Sequence, residues 1–144
     1  MTAWLKVIGT RFVIFVDTSF RVAVAIDVDA RHTEASKLFA AHASAVLATS
    51  NDVRGETWTF IRRRFGHRTA VALVDRLEQT PRLRVLRGDS SDEQKAWAWL
   101  RRHDEREYSL VDATSFALMR RLAIREVLAF DGDFSAAGFV ELRA

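Results

Sequence analysis

Cysteine is absent from this 144-residue chain. That removes disulfide frameworks, thiolate zinc sites and cysteine nucleophiles from consideration. Lysine is scarce: Lys6, Lys37 and Lys95 are the only ones, so 19 of the 22 basic residues are arginine. Proline occurs once, at Pro81, and no repeat, linker or low-complexity tract marks a boundary between domains. No apolar run approaches the roughly 20 residues that a membrane-spanning helix needs. The first of the longest, Phe12-Val13-Ile14-Phe15-Val16, stops at Asp17 with no small-residue cleavage site behind it. Neither a membrane span nor a signal peptide is expected, and a cytoplasmic location is. The four histidines, His32, His42, His67 and His103, lack metal-ligand spacing and read as structural or surface residues.

What is present is an ordinary globular balance, 49% hydrophobic and 28% charged, in a length that suits one domain with a real core. The net charge is +3 and the pI about 9.9. Arginine suits phosphate, since its planar fork holds two oxygens at once. An arginine-rich codon bias accounts for the ratio equally well, so charge supports a nucleic-acid partner without establishing one.

Along the chain, residues 12–17 have the β-branched and aromatic make-up of a strand buried on both faces. A short apolar helix over 20–26 and a turn at Asp27-Val28-Asp29 follow. An alanine-rich helix spans 31–43, a second strand 45–48, and Thr49-Ser50-Asn51 offers caps for a helix to Phe65, closed by Gly66. Another helix spans 67–79. Leu83 and Val85 mark a third strand, and Ser90-Ser91-Asp92-Glu93 reads as a capping box for a helix through Trp97, Trp99 and Leu100. Ser109 caps a helix over 110–122. A fourth strand spans 126–130, Asp131-Gly132-Asp133-Phe134 is a turn, and 139–142 is a fifth strand. Buried strands alternating with helices predict an α/β fold: a single three-layer domain with a parallel sheet of about five short strands, over residues 12–144. Residues 1–11 precede it as an extension without assigned function.

Active sites of open parallel sheets form beyond the carboxyl ends of the strands. Asp17 directly follows the first strand, and Asp131 follows the fourth, with Asp133 two residues on. Asp112 sits in the first turn of a helix, and Glu56 lies about two turns into the helix after the second strand. Each acid alone has an innocent reading as a cap, a first-turn acid or a solvated helix residue. Together, four acids from four segments reaching one edge would repel one another unless a cation neutralised them. Hard divalent cations with oxygen ligands, Mg²⁺ or Mn²⁺, suit such a set, and so does phosphodiester hydrolysis.

The segments VDTSF (16–20), GET (55–57), LVDATS (110–115) and LAFDGDF (128–134) resemble the four acidic motifs of PIN domains. The chain is similar in particular to VapC-type toxins of bacterial toxin–antitoxin modules, over nearly its whole length from Phe12 onward. That resemblance implies a metal-dependent endoribonuclease. Asp17, Asp112 and Asp131 would be metal ligands, and Glu56 would orient or deprotonate the attacking water. Ser19 and Thr114 would support the site, with helix capping an equal reading of both. Asp133 is the substitute for Asp131. The resemblance further implies an RNA substrate, tRNA or ribosomal RNA, a cognate antitoxin protein and a homodimer.

Rival readings are weaker. VAVAIDVDA (22–30) looks like the strand and Asp-x-Asp of haloacid-dehalogenase phosphatases, but it leaves Asp17 unexplained and no downstream lysine falls where needed. A receiver-like domain lacks its paired acids and its lysine, and the intact acidic set argues against a silent PIN-fold binding module. Trp58, Trp97 and Trp99 are potential base-stacking platforms, although aromatics on helices are more often core or interface. The arginines at 62–64, 101–102 and 120–121 read mostly as solvated faces, with some available to a phosphate track.

Overall fold

The computed structural model describes residues 13–144; the extension expected at residues 1–11 lies outside them. Five strands, β1 (Val13–Val16), β2 (Val46–Ser50), β3 (Leu83–Leu86), β4 (Glu126–Leu128) and β5 (Val140–Glu141), form one sheet in the order β3-β2-β1-β4-β5. Every neighbouring pair is parallel. The helices are α1 (Thr18–Ala25), α2 (His32–Ala41), α3 (Asn51–Phe65), α4 (His67–Glu78), α5 (Ser90–Arg102), α6 (Leu110–Arg121) and the short α7 (Asp133–Ala136).

β1 shows why the sheet is covered on both faces. Val13 and Phe15 pack into one apolar core and Ile14 and Val16 into the other, as the two-residue period of a strand requires. The first core draws Ala96 and Trp99 from α5, Phe116 and Met119 from α6, and Phe134 from α7. The second draws Phe20, Leu38 and Leu73 from α1, α2 and α4. Each fully buried phenylalanine contributes about 2–3 kcal/mol. Helix α3 belongs to both, with Val53 in the first core and Ile61 in the second. Between those two anchors it passes the carboxyl edge of the sheet, and Glu56 lies on that stretch.

The chain lays down β1, β2 and β3 in one direction, then crosses β1 to add β4 and β5 on its other side. The crevice at the carboxyl ends of β1 and β4 is therefore the switch point of the sheet, the place where such folds bind ligands. A hydrogen bond from the Asp17 amide to the Leu128 carbonyl, 3.1 Å, ties the two strand ends together.

Several local expectations shift. Helix α1 begins at Thr18 rather than residue 20, because Asp17 itself is its N-cap. The capping box of α5 is one residue earlier than read: Asp89 caps it and Asp92 bonds back to the Asp89 amide. β4 ends at Leu128, so Asp131 comes three residues after the strand instead of directly behind it. Asp133, read as part of a turn, opens α7. VAVAIDVDA forms the second half of α1 and its exit, with the Asp27 side chain 92% exposed; no strand delivers an Asp-x-Asp pair there.

Candidate active site

Asp17 is held by both ends of the switch point. Its Oδ2 accepts a hydrogen bond from the Ser19 hydroxyl, 2.9 Å, and one from the Ser19 amide, 3.3 Å. The same hydroxyl accepts from the Phe130 amide at 3.0 Å, so Ser19 clamps the end of β1 to the segment that carries Asp131. Asp17 is 2% exposed. Burial first, then the charges of Asp131 and Asp112, push its pKa up to about 7 against the two bonds from Ser19.

Asp112 is the N3 residue of a capping box: its amide donates to the Ser109 hydroxyl and its Oδ2 accepts from the Ser109 amide, 2.9 Å. The cap fixes the carboxylate at the amino end of α6. Burial, and behind it the charge of Asp133, raise its pKa despite the bond from Ser109. Asp131 is more exposed than Asp112. Even so, partial withdrawal of its carboxyl from water, with Asp133 and Asp112 close by, lifts its pKa to about 6.

Carboxylate oxygens of Asp112, Asp131 and Asp133 all lie within 4.8 Å of one another. This all-oxygen donor set fits a hard divalent cation such as Mg²⁺ or Mn²⁺. One oxygen of each principal acid is oriented by the protein: Oδ2 of Asp17 by Ser19, Oδ2 of Asp112 by Ser109, and Oδ1 of Asp131 by the Asp133 amide at 3.1 Å. The second oxygen of each is what an ion or its water would meet.

Glu56 joins Asp17, Ser19 and Asp131 in lining a cavity of about 390 Å³, together with Asp29, Arg31, Phe60 and Phe130. Burial raises its pKa, a hydrogen bond from Thr18 works the other way, and the Asp112 charge adds to the rise. A second cavity of about 480 Å³ shares Glu56 and Phe60 with the first and brings Arg63 and Arg64 to its wall. The acidic centre thus opens onto a basic, aromatic-lined trough. Arg31 at its far side lies 4.2 Å over the Phe130 ring and is braced by Glu34.

Of the residues expected from sequence, Asp17, Glu56, Asp112, Asp131, Ser19 and Asp133 gather at this edge. Thr114 does not: its hydroxyl donates to the Val111 carbonyl, and it lines a different cavity beside Asn51, Asp89 and Asp92. Trp99 is a core residue packed on His103, Tyr108 and Phe116, and Trp58 sits edge-on to His67; Trp97 is exposed on α5. Two residues escaped the sequence reading. Arg31 reaches the cavity from α2's amino end, and Arg106 bonds to Asp133 and to the Asp131 carbonyl. Neither lies in an acidic motif, and no spacing rule points to them.

Residues 14–140 match the model of the PIN domain family. The chain is 56% identical over 131 residues, 90% of its length, to the 23S rRNA-specific endonuclease VapC20 of Mycobacterium tuberculosis, in strains CDC 1551 / Oshkosh and ATCC 25618 / H37Rv, and covers 98% of each. It superposes on the crystal structure of Mycobacterium tuberculosis VapC20, described as a Sarcin-Ricin loop cleaving toxin, with a TM-score of 0.83 at 55% identity. That match covers 91% of this chain and 99% of the other. With four separate segments delivering acids to the switch point of a five-stranded parallel sheet, the chain belongs to the PIN-domain family.

Proposed function

We propose that this protein is a divalent-metal-dependent endoribonuclease, the toxin of a toxin–antitoxin pair, that hydrolyses a phosphodiester bond in ribosomal RNA. The observation that carries the reading is the buried Asp17 carboxyl, pushed up to about 7 with Asp131 and Asp112 against it. A cation joining such a site would relieve the repulsion and keep Asp17 fully charged at neutral pH. Asp17, Asp112 and Asp131 are the ligands of Mg²⁺ or Mn²⁺ in this reading, and Asp133 stands beside them. The ion supplies charge neutralisation and electrophilic activation when bound.

The chain's own residues supply the rest. Glu56, its pKa raised by burial, is placed to accept a proton from the water that attacks phosphorus. Ser19 and Ser109 keep two of the acids from rotating, so no reorganisation is needed when the phosphate arrives. Arg31, Arg63 and Arg64 draw the RNA backbone toward the trough, and Phe60 and Phe130 offer faces to an unpaired base.

Ribosomal RNA is favoured over tRNA because the relatives are named for 23S rRNA, and a likeness of this extent supports a shared target loop. A cognate antitoxin protein, a homodimer and a cytoplasmic location belong to the same reading. No helix among the described residues is long and apolar enough to cross a membrane. The test is incubation of purified protein with ribosomes and with tRNA in Mn²⁺, then in chelator. A single cut in 23S rRNA that chelator abolishes is expected. Cleavage of tRNA alone would overturn the target, and cleavage unaffected by chelation would overturn the metal.

A further inference from the structure

We propose that Arg106 is a positioning residue of the acidic centre: it locks the Asp131-Gly132-Asp133 turn and takes Asp133 as its own counter-charge, so that Asp131 presents its carboxylate to the ion. The inference rests on the metal-dependent reading above and goes beyond it by ranking the two neighbouring aspartates and naming the residue that ranks them.

Arg106 lies in the loop between α5 and α6 and straddles the turn. Its Nε donates to Asp133 Oδ1 at 2.8 Å and its Nη2 donates to the Asp131 carbonyl at 2.9 Å. One guanidinium fork therefore fixes both ends of a three-residue segment. Gly132 between them has φ 82°, in the left-handed region, and a Cβ there would stand 3.2 Å from Arg106 Nη2. The guanidinium thus occupies the space over the turn that only glycine leaves clear. The Asp133 amide donates to Asp131 Oδ1 at 3.1 Å, so holding the turn also holds the Asp131 carboxylate.

Charge sorts the acids in the same way. Among the described residues, Asp133 is the member of the cluster that is ion-paired with an arginine. Asp131, three residues past β4, lines the cavity that holds Asp17 and Glu56, and its charge reaches Asp17. Asp133 is thus partly answered within the protein while it stays beside Asp112, and Asp131 is the member of the pair that lines the cavity with Asp17 and Glu56.

Positioning and plain electrostatics make opposite demands. Removing a nearby cation should tighten binding of Mn²⁺ if Arg106 is only a surface charge. If it positions the turn, removal should weaken binding, on the scale of other residues that orient ligands, about tenfold. The experiment is calorimetric titration of Mn²⁺ into the full chain, without RNA, for wild type, Arg106→Gln and Arg106→Lys. Both variants are expected to bind about tenfold more weakly, because lysine keeps the charge but cannot reproduce the two-pronged geometry. If Arg106→Gln does not fold, Arg106→Lys carries the comparison. Wild-type affinity in Arg106→Lys, or equal or tighter binding in Arg106→Gln, overturns the proposal and leaves the metal site standing. A wild-type protein that binds no Mn²⁺ overturns the metal-dependent reading and this inference with it.

Discussion

Asp17→Asn removes a strongly penalised charge while keeping a carbonyl oxygen for the two bonds from Ser19. The folded carboxyl titrates at about 7 against 3.8 for its ordinary value. Each pKa unit corresponds to ~1.4 kcal/mol, and Asp17 shares its repulsion with Asp131, so the charge costs the metal-free fold about 2–4 kcal/mol at pH 8. The sign follows from the upward shift. The folded state binds the proton more tightly than the unfolded chain, so the penalty is absent below about pH 4 and complete once pH has risen past about 7. In chelator at pH 8, Asp17→Asn is expected to melt above wild type by about 6–12 °C, taking ~3 °C per kcal/mol for a domain of this size. The gap should close as pH falls toward 4. Adding millimolar Mn²⁺ should raise the wild-type melting temperature and leave the variant nearly unmoved. Thermal denaturation across that pH range, with and without Mn²⁺, measures all of this. A variant that melts below wild type at pH 8, or an advantage that is the same at pH 4, would refute the account of Asp17 as a repelled, buried carboxylate.

Glu56→Gln should lower single-turnover RNA cleavage by about a hundredfold or more, while RNA affinity holds or improves because one negative charge facing the phosphates is gone; normal cleavage would make Glu56 a bystander. Ser19→Ala should cost about 1–3 kcal/mol in urea unfolding, since it unpairs the Phe130 amide and removes the shorter of the two bonds to Asp17 Oδ2, the backbone amide bond remaining. An unchanged midpoint would remove the clamp from the argument. Arg121→Ala should be the most destabilising of the set, about 2–4 kcal/mol, because it leaves the charge of Asp92, 1% exposed, with only the Asp89 amide after the loss of two arginine bonds of 2.8 and 2.9 Å. Its cleavage per folded molecule should stay near wild type, as Asp92 lies outside the acidic centre.

The strands were legible because their chemistry is unambiguous. Val13 to Val16 carries no polar residue, so the segment has to be covered on both faces, and a parallel sheet is the arrangement that does so. Asp17 was legible with it, because a polar residue at the end of a buried strand must surface at the sheet's carboxyl edge. Glu56 was found through its resemblance to a motif, and its place depends on a tertiary fact: α3 changes cores between Val53 and Ile61. Thr114 shows the opposite failure. Two residues along a helix is about 200° around it, so a hydroxyl two positions after Asp112 turns away from the acids, and Thr114 faces the other cavity. Sequence adjacency suggested a neighbour where helical geometry separates them.

Neither adjacency nor the strand ranks Asp131 against Asp133. Ala129 and Phe130 continue the apolar run of the strand, yet β4 stops at Leu128 and both aspartates lie beyond it. Under the proposal above, what separates them is a hydrogen-bonded arginine 25 residues before one and 27 before the other, and no sequence rule pairs charges across such a gap. The physical demand behind it is nonetheless general. Carboxylates crowded at one edge fold only if part of their charge is answered internally, and the answers here are unequal: Ser19 for Asp17, Ser109 for Asp112, a full guanidinium for Asp133. Neutral donors orient an acid and leave its charge available, whereas a paired arginine offsets part of it, and the remainder of the Asp133 charge still acts on Asp112 and Asp131. In the proposed reading the acids held by neutral donors, Asp17, Asp112 and Asp131, are the ones fitted to carry a cation, and the acid paired with arginine helps hold its neighbour in place.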